Sequence, residues 1–207
     1  MAAAAVKRPS VFVIMPFKDT LQDLYELGIK PACEAAGADC HRLDELIIPG
    51  GMVDALYEKI AGADVLVAEM SEPNENVYYE AGYAHGLGKP VVFMSRSADA
   101  IPFDVSQYQH LIYGVIREVK DKLVPLIRHY LEHPNEVARH MAHERMLQHI
   151  ENYLDDTNKE RISFQGIRKY INSDWTDERL RELIDHNPSR VRFSLLKDDK
   201  PGLKRMT

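Results

Sequence analysis

Apolar runs alternate with amphipathic segments along the first 130 residues of the chain. Three runs are apolar almost throughout, which is the pattern of strands buried on both faces of a parallel sheet: Val11–Phe17, Asp64–Met70 and Val91–Ser95. Weaker strand signals lie at Asp39–Leu43 and in the segment HLIYG that ends at Gly114. The alternation predicts a domain built from strands and helices in turn.

Helical periodicity fills the intervals between these runs. The predicted helices are Thr20–Ala36, Met52–Ala61, Val77–Leu87 and Arg117–Leu131. Strands that alternate with helices form a parallel sheet covered by helices on both faces. We therefore predict an α/β fold over residues 10–132, with a flavodoxin-like doubly wound parallel sheet of four or five strands. Such sheets bind ligands outside the carboxyl ends of their strands.

The pattern changes at Leu131–Glu136, the segment LEHPNE, where we place the domain boundary. Helices are predicted at 136–154, 163–171 and 176–185, the last one capped by Thr176. The alternating segment RVRFSLL and the segment LKRM, joined by KDDKPG, predict a two-stranded hairpin. Residues 133–207 are therefore predicted to form a helical linker and a small winged-helix-like domain. The alanine-rich start, residues 1–9, is predicted to be disordered.

The composition excludes several classes of protein. Hydrophobic residues make up 45% of the 207 and charged residues 28%, as in ordinary globular proteins. No apolar run approaches the roughly 20 residues of a membrane-spanning helix, and the start of the chain does not resemble a signal peptide. Cys33 and Cys40 lack the spacing of a metal site. We therefore predict reduced thiols and a cytoplasmic location, with no membrane partner.

The net charge of −6 is distributed unevenly. Residues 1–133 carry 12 Lys or Arg and 19 Asp or Glu, whereas residues 161–207 carry 11 and 7. The two parts are therefore predicted to have different partners. Nucleic acid is a candidate partner of the basic tail, because phosphates dominate such binding. Acidic residues interleave with the basic ones, so protein contact is the alternative.

One carboxylate stands out in the segment SEPNENVYYEAGYAHGLGKPVVF, Ser71–Phe93. Glu80 falls in the first turn of the predicted helix that follows the second buried strand. Helical side chains lean toward the N-terminus, so Glu80 should point over the carboxyl edge of the sheet. The helix dipole favours an ionised carboxylate there, which suits a nucleophile or a stabiliser of positive charge. The alternative is an acidic residue that only stabilises the helix start. Gly82 is predicted to let a ligand or a neighbouring backbone come close, and Gly86 to do the same for the sheet.

The segment AEMSEPNENVYYEAGYAHGLGKPVV resembles the signature of the nucleoside 2-deoxyribosyltransferase and nucleotide N-glycosidase superfamily. The segments VFVIMPF and IPFDVSQYQHLIY resemble a bacterial TIR-like subgroup of it. The resemblance covers about residues 10–116. It implies cleavage of a base–sugar bond, in which Glu80 attacks the sugar C1′ or stabilises the oxocarbenium ion. It also implies a homodimer or larger assembly, because members often complete the pocket with a neighbouring subunit.

Two positions depart from the family's pattern. Transferase members commonly carry Asp six residues before the catalytic Glu, where this chain has Asn74. Many members also carry Asp on the preceding helix, where this chain has Leu56, and the nearest carboxylates are Asp54 and Glu58. Retaining glycosyl chemistry needs a second group beside the nucleophile. Glu69, at the end of its strand, is the candidate for that group, since the hydrolase branch also has Ala-Glu there.

Residues at the same edge of the sheet are the candidates for substrate binding. They are Met15, Pro16, Phe17, Lys18, Gly50, Gly51, Ser71, Asn74, Asn76, Tyr79 and Tyr83. Phe17 is a candidate for stacking on a base, with a core position as the alternative. Lys18 and the two glycines precede helix starts, which bind anions. The polar loop residues are candidates for ribose or phosphate contacts, with helix capping as the alternative. Tyr79 and Tyr83 are candidates for orienting Glu80, and simple packing is the alternative for Tyr83.

Histidine pairs on predicted helices do not indicate a metal site. His129 and His133 are four residues apart, and His140 and His143 are three apart, but no third ligand follows at a fixed spacing. We predict no metal and no cofactor.

The sequence thus predicts an enzyme that cleaves or transfers the N-glycosidic bond of a nucleoside or nucleotide, with Glu80 as its nucleophile. Two alternatives stay open. One is a TIR-like NAD hydrolase in signalling or defence, which would also use a Glu carried by a helix. The other is a sensor that binds a nucleotide-derived ligand without turnover and relays its presence through the tail to DNA or a protein. The departures at Asn74 and Leu56 favour the sensor.

Overall fold

A computed structural model describes residues 7–46, 52–98, 101, 110–171, 175–195 and 201–206. The chain divides into two compact units, Met1–Ala138 and Arg139–Thr207. The break in the sequence pattern at Leu131–Glu136 had placed the boundary a few residues earlier. Each unit has a hydrophobic core of its own.

Within the described residues, the first unit contains a five-stranded parallel sheet in the order β2–β1–β3–β4–β5. Its strands are β1 (Ser10–Ile14), β2 (Asp39–Arg42), β3 (Val65–Glu69), β4 (Val91–Ser95) and β5 (His110–Ile112). Each neighbouring pair is parallel. This order is that of a flavodoxin-like doubly wound sheet, so the predicted fold class is confirmed.

Helices cover both faces of this sheet. They are α1 (Asp19–Asp23), α2 (Lys30–Ala35), α3 (Met52–Gly62), α4 (Glu75–Gly86) and α5 (Ile116–Glu132). The single helix predicted at 20–36 is interrupted by a π-helical segment, Leu24–Ile29, between α1 and α2. Pro31 lies in the first turn of α2, where its missing N–H costs nothing, so it restarts the helix.

The alternation along the strands sends side chains into two cores. Val11 and Val13 pack with α1, α2 and α5 on one face. Phe12 and Ile14 pack with α3 and α4 on the other. The π-helical segment approaches α5 closely at Gly28, where a Cβ would lie 3.2 Å from the Cβ of Val119. Burial on both faces explains why the strands read as continuous apolar runs.

The second unit combines helices with a small antiparallel sheet. Its elements begin with α6 (Pro134–Asp156), which starts in the first unit, and continue with β6 (Arg161–Ser163), α7 (Phe164–Ile171), α8 (Asp177–His186), β7 (Val191–Leu195) and β8 (Pro201–Arg205). In the described part of this unit the sheet has three strands in the order β6–β8–β7. Thr176 caps α8 as predicted, its Oγ1 accepting from the Arg179 N–H at 3.3 Å. The hairpin prediction omitted β6, and the winged helix stays a prediction.

Several predicted features lie outside the described residues: the start at 1–6, Gly50, Gly51 and the hairpin turn at 196–200. Residues 7–9, part of the segment predicted to be disordered, are described, and the Arg8 Nη2 donates to the Ala38 carbonyl at 3.1 Å. The Pro9 carbonyl accepts from the Asp39 N–H at 2.8 Å.

In the described part of the chain, no helix combines the length and apolar character needed to cross a membrane. The cytoplasmic location stays a prediction.

Candidate functional site

The candidate residues gather where the strand order of the parallel sheet reverses, between β1 and β3. The chain leaves β1 through residues 15–18 and leaves β3 through residues 70–74. Lys18 Nζ and Glu72 Oε2, 2.5 Å apart, join these two loops. Doubly wound sheets bind their ligands in the crevice at this reversal. The topology therefore makes the region beside the N-terminal half of α4, the helix that carries Glu80, the candidate binding site.

Glu80 lies in the second turn of α4, so its predicted position in the first turn was wrong. The helix begins at Glu75, because Asn74 caps it: the Asn74 Oδ1 accepts from the Val77 N–H at 3.1 Å. The effect of a helix dipole falls off within the first turn. The dipole is therefore a weak influence on Glu80.

Burial dominates the electrostatics of Glu80. The side chain is half-buried, and among the described residues its carboxylate forms no hydrogen bond or ion pair. Burial raises its pKa to about 7. The expectation that the helix favours its ionised form was wrong, because desolvation penalises the charge more than the dipole stabilises it. Near neutral pH both protonation states are populated, which suits acid–base or nucleophilic chemistry.

A tyrosine cluster lies beside Glu80 on α3 and α4. The hydroxyls of Tyr57 and Tyr79 are 3.2 Å apart, and the ring centroids of Tyr57 and Tyr83 are 4.6 Å apart. The hydrogen bond to Tyr79 raises the pKa of Tyr57, and the charge of Glu80 adds to that shift. Tyr83 therefore packs, which was the alternative for it. Sequence reasoning missed Tyr57, because its helix is joined to α4 only through the fold.

Glu69 ends β3 and is fully buried (0% exposed). Its Oε1 accepts from the Tyr113 hydroxyl at 2.9 Å, from the Ser71 N–H at 3.1 Å and from the Ser71 hydroxyl. Its Oε2 is buried and has no hydrogen-bond partner within the described residues. The Ser71 Oγ in turn accepts from the Arg96 N–H at 2.8 Å. Glu69 thus ties the chain after β3 to the chain after β4 and after β5.

Tyr113 and Arg96 are members of this cluster that sequence reasoning missed. Burial, ahead of the nearby Glu69 charge, raises the pKa of the Tyr113 hydroxyl to about 12. The bond from Lys18 lowers the pKa of the Glu72 carboxyl, and the charge of the exposed Arg96 adds to that effect. Tyr113 and Arg96 both come just after a strand of the parallel sheet. The rule that selected Glu69 and Ser71, carboxyl ends of strands, would have selected them too.

Met15, Pro16 and Phe17, in the loop after β1, were predicted to line the pocket. Of these three, only the side chain of Phe17 is exposed. Met15 and Pro16 are buried, Met15 within the core, so the prediction for these two was wrong. β1 ends at Ile14, and the next two residues still pack inward. Phe17 is 58% exposed, so its core alternative was wrong as well. The ring of Phe17 is available at the edge of the sheet.

Arg42, at the end of β2, packs against the loop that follows β1 and is only 3% exposed. Its Nε and Nη2 donate to the two carboxylate oxygens of Asp44, each at 2.6 Å. The guanidinium lies 4.1 Å from the centroid of the Tyr25 ring and 5.9 Å from that of Phe17. Its Nη1 faces the Met15 Sδ at 3.7 Å. Arg42 therefore fixes the base of the loop that carries Phe17.

The surroundings of the other residues named from the sequence are as follows. Leu56 packs against the core beneath α3 and α4. Asn76 is exposed in the first turn of α4. A Cβ at Gly82 or Gly86 would meet nothing within 4 Å, so the prediction that Gly86 lets the sheet come close was wrong. In the part of the chain that the structure describes, no three His, Cys, Asp or Glu side chains are grouped to hold a metal ion.

Comparison with known proteins finds no relative of this chain by sequence. No family model matches the chain, and no curated protein matches it. Among solved structures, the chain is similar to a CMP N-glycosidase from Clostridium botulinum, with 19% identity over 56% of this chain and 98% of that one and a TM-score of 0.47. It is also similar to a 2-deoxyribosyltransferase from Leishmania mexicana, with 15% identity over 56% and 97% and a TM-score of 0.43.

A third likeness is to a 2-deoxyribosyltransferase from Bacillus psychrosaccharolyticus, with 17% identity over 54% of this chain and 90% of that one and a TM-score of 0.44. At such identities and TM-scores these likenesses carry no argument about the chemistry of this chain.

Proposed function

We propose that this chain cleaves or transfers the N-glycosidic bond of a nucleoside or nucleotide, with Glu80 as nucleophile or oxocarbenium stabiliser. The observation that carries the proposal is the state of Glu80: half-buried, without a partner among the described residues, and with its pKa raised to about 7. Within the described residues no cation pairs with it, so its negative charge can stabilise the positive charge that develops on a sugar.

The reaction follows from this placement. The ionised Glu80 attacks the sugar C1′ while the C1′–N bond breaks, and the electron pair of that bond leaves with the base, which takes up a proton. Water or a second base then attacks C1′, the bond between C1′ and the Glu80 oxygen breaks, and the attacking group loses a proton to solvent, which completes hydrolysis or transfer. Either step returns Glu80 as a carboxylate. The same charge stabilises an oxocarbenium ion if the covalent bond does not form.

The neighbouring residues support binding rather than bond breaking. The exposed ring of Phe17 offers a surface on which a base stacks. Lys18 pairs with Glu72, and the charge of the exposed Arg96 also acts on Glu72; positive charge at this edge of the sheet suits a substrate with phosphate. We assign Glu69 the role of anchoring Ser71 at this edge of the sheet, because its Oε1 is occupied and its Oε2 is buried.

The first experiment measures free base released from a panel of nucleosides, deoxynucleosides, ribonucleotides, deoxynucleotides and NAD. The test variant is Glu80→Gln, which keeps the shape and removes the charge. The matched control is Glu75→Gln, which removes an exposed carboxylate from the first turn of the same helix. We expect base release by the parent and the control, and a loss of at least about 100-fold in Glu80→Gln. Release that persists in Glu80→Gln would overturn the assignment.

The pH dependence of kcat/KM gives a second test. Only the ionised form of a nucleophile reacts, so kcat/KM should rise with pH through about 7 and then level off. A profile that falls across this range would instead indicate that Glu80 acts as a protonated acid.

A second candidate function, a ligand sensor without turnover, is favoured by two observations. Asn74 caps α4, and Leu56 packs in the core, so neither position offers a carboxylate beside Glu80. Calorimetric titration with the same panel tests it. Binding of one member, unchanged in Glu80→Gln and without base release, would favour the sensor. Nicotinamide release from NAD alone would favour the NAD hydrolase.

A further inference from the structure

A row of basic residues crosses the antiparallel sheet of the second unit. Arg161 of β6 lies directly opposite Lys204 of β8, and Arg192 of β7 lies directly opposite the same Lys204. Directly opposite residues of antiparallel strands project from the same face. Since neighbouring strands are about 4.8 Å apart, the Cα atoms of the three basic residues lie within about 10 Å of one another. We call Arg161, Lys204 and Arg192 the basic row.

The basic row faces away from the core. The residues next to it along each strand, Ile162, Leu203 and Val191, are buried in the core of the second unit. Side chains alternate between faces along a strand, so the row lies on the other face. Arg161 and Arg192 are exposed. This arrangement is invisible in the sequence, because the three residues come together only through the strand register.

The residues beside the row are small and polar. Ser163 and Ser194 both lie opposite Gly202, one register step further along the strands. The described residues of this face therefore combine three long cations with serine and glycine, and none of them is aromatic. Gly202 is buried, and the Ser163 Oγ accepts from the Gly166 N–H at 2.9 Å, so the phosphate contacts of this face fall to the three cations.

Like charges directly opposite each other destabilise a sheet. Among the described residues, one acidic group approaches the row: Glu160 Oε2 lies 3.2 Å from Lys204 Nζ, with the Lys204 side chain 24% and the Glu160 side chain 71% exposed. Because Glu160 is largely in water, the pair is weak and a stronger anion can replace Glu160. Asp155 pairs with Arg205, which is in register with the buried Val191 and so lies on the other face. Within the described residues, Arg161 and Arg192 therefore have no acidic partner.

We propose that the basic row is a docking surface for the phosphate backbone of duplex DNA. Cations in a short row complement the dense negative charge of a duplex, whose counterions they release. Proteins that bind single strands stack bases on aromatic side chains, and this face offers none among its described residues. The proposal stands apart from the glycosidase function, since it concerns the second unit alone.

The test measures binding of the full chain to a fluorescent DNA duplex by anisotropy at several salt concentrations. The variant is Arg161→Gln/Arg192→Gln, which leaves the Lys204–Glu160 pair in place. The matched control is Arg117→Gln/Lys120→Gln, which removes two exposed cations from α5 of the first unit. We expect the slope of log K against log salt to lose about 0.9 for each cation removed, and the affinity at low salt to fall at least about tenfold. The control should bind like the parent.

Two further measurements keep the result interpretable. Thermal unfolding should show no loss of stability in Arg161→Gln/Arg192→Gln, because the substitution removes like-charge contacts. The variant Arg161→Lys/Arg192→Lys should retain binding. Duplex binding that is absent in the parent, or unaffected by the row, would overturn the proposal. So would a preference for single-stranded DNA or for phosphatidylserine vesicles over the duplex.

Discussion

The carboxyl group of Glu80 is subject to two opposing effects. A helix dipole stabilises a nearby anion by about 0.3–1 kcal/mol, and only within the first turn. Burial raises the pKa of Glu80 from its usual range to about 7, and each pKa unit corresponds to about 1.4 kcal/mol. Burial therefore decides its protonation state. A carboxylate whose ionisation is penalised by burial, and which has no partner among the described residues, is typical of a functional group. It is not typical of a residue that only stabilises a helix start.

The first prediction concerns stability against pH in Glu80→Gln. The folded pKa of Glu80 lies above its unfolded value, so folding favours the protonated form. The penalty is absent below about pH 4, grows as the pH rises, and is complete above about pH 7. We expect Glu80→Gln to be more stable than the parent at pH 8 by about 1–2 kcal/mol, after allowance for partial exposure. Urea unfolding at several pH values measures the difference.

Glu75→Gln is the control for this prediction, because Glu75 is exposed at the start of the same helix. Its stability relative to the parent should show no such rise between pH 4 and pH 8. If Glu80→Gln and the parent kept the same difference at all pH values, the raised pKa of Glu80 would be refuted.

A second prediction at this scale concerns the hydroxyl of Tyr113. The change Tyr113→Phe removes one of the three donors to the Glu69 Oε1. We expect a loss of about 1–3 kcal/mol in the free energy of unfolding, because the Glu69 carboxylate is buried. The matched control is Tyr130→Phe, since the half-buried Tyr130 hydroxyl makes no hydrogen bond within the described residues. Equal effects of the two changes in urea unfolding would argue against the cluster.

At the scale of the element, the start of α4 sets where Glu80 stands. Asn74→Ala removes the acceptor that caps the Val77 N–H, which should cost about 1 kcal/mol of unfolding free energy. Asn74→Asp keeps an acceptor and should cost little. The exposed Asn76 on the same helix is the control position, where Ala should cause no loss. A stable Asn74→Ala variant in thermal or urea unfolding would contradict the capping role.

Elements were predictable where the hydrophobic pattern alone decides them. The run Val91–Ser95 was predicted to the residue and is β4. The sequence misplaced features that depend on packing. The start of α4 lies two residues earlier than predicted, because Asn74 is the cap. β6 has only Arg161–Ser163 and was missed, since three residues carry no periodicity and the strand exists only through its partner β8.

At the scale of the molecule, the candidate site depends on contacts between distant segments. Glu69 and Ser71 were predicted from their place at a strand end, and Tyr113 was not, although the fold joins it to Glu69 at 2.9 Å. Arg42 holds the loop of Phe17 from a neighbouring strand. Such groups come together through strand order and register. Local sequence patterns identify candidate site residues at each strand end. Which of these residues contact one another is determined by the fold.

The last prediction treats the two units as separable in function. Glu80 is placed by the core of the first unit and the basic row by the core of the second. Residues that different cores position should have independent effects. We therefore expect Arg161→Gln/Arg192→Gln to release base within about twofold of the parent, and Glu80→Gln to bind duplex DNA within about twofold. Both are measured on the full chain, by chromatography and by anisotropy. A loss of base release in the basic-row variant would mean that the second unit takes part in the reaction, and the surface would then belong to substrate recognition.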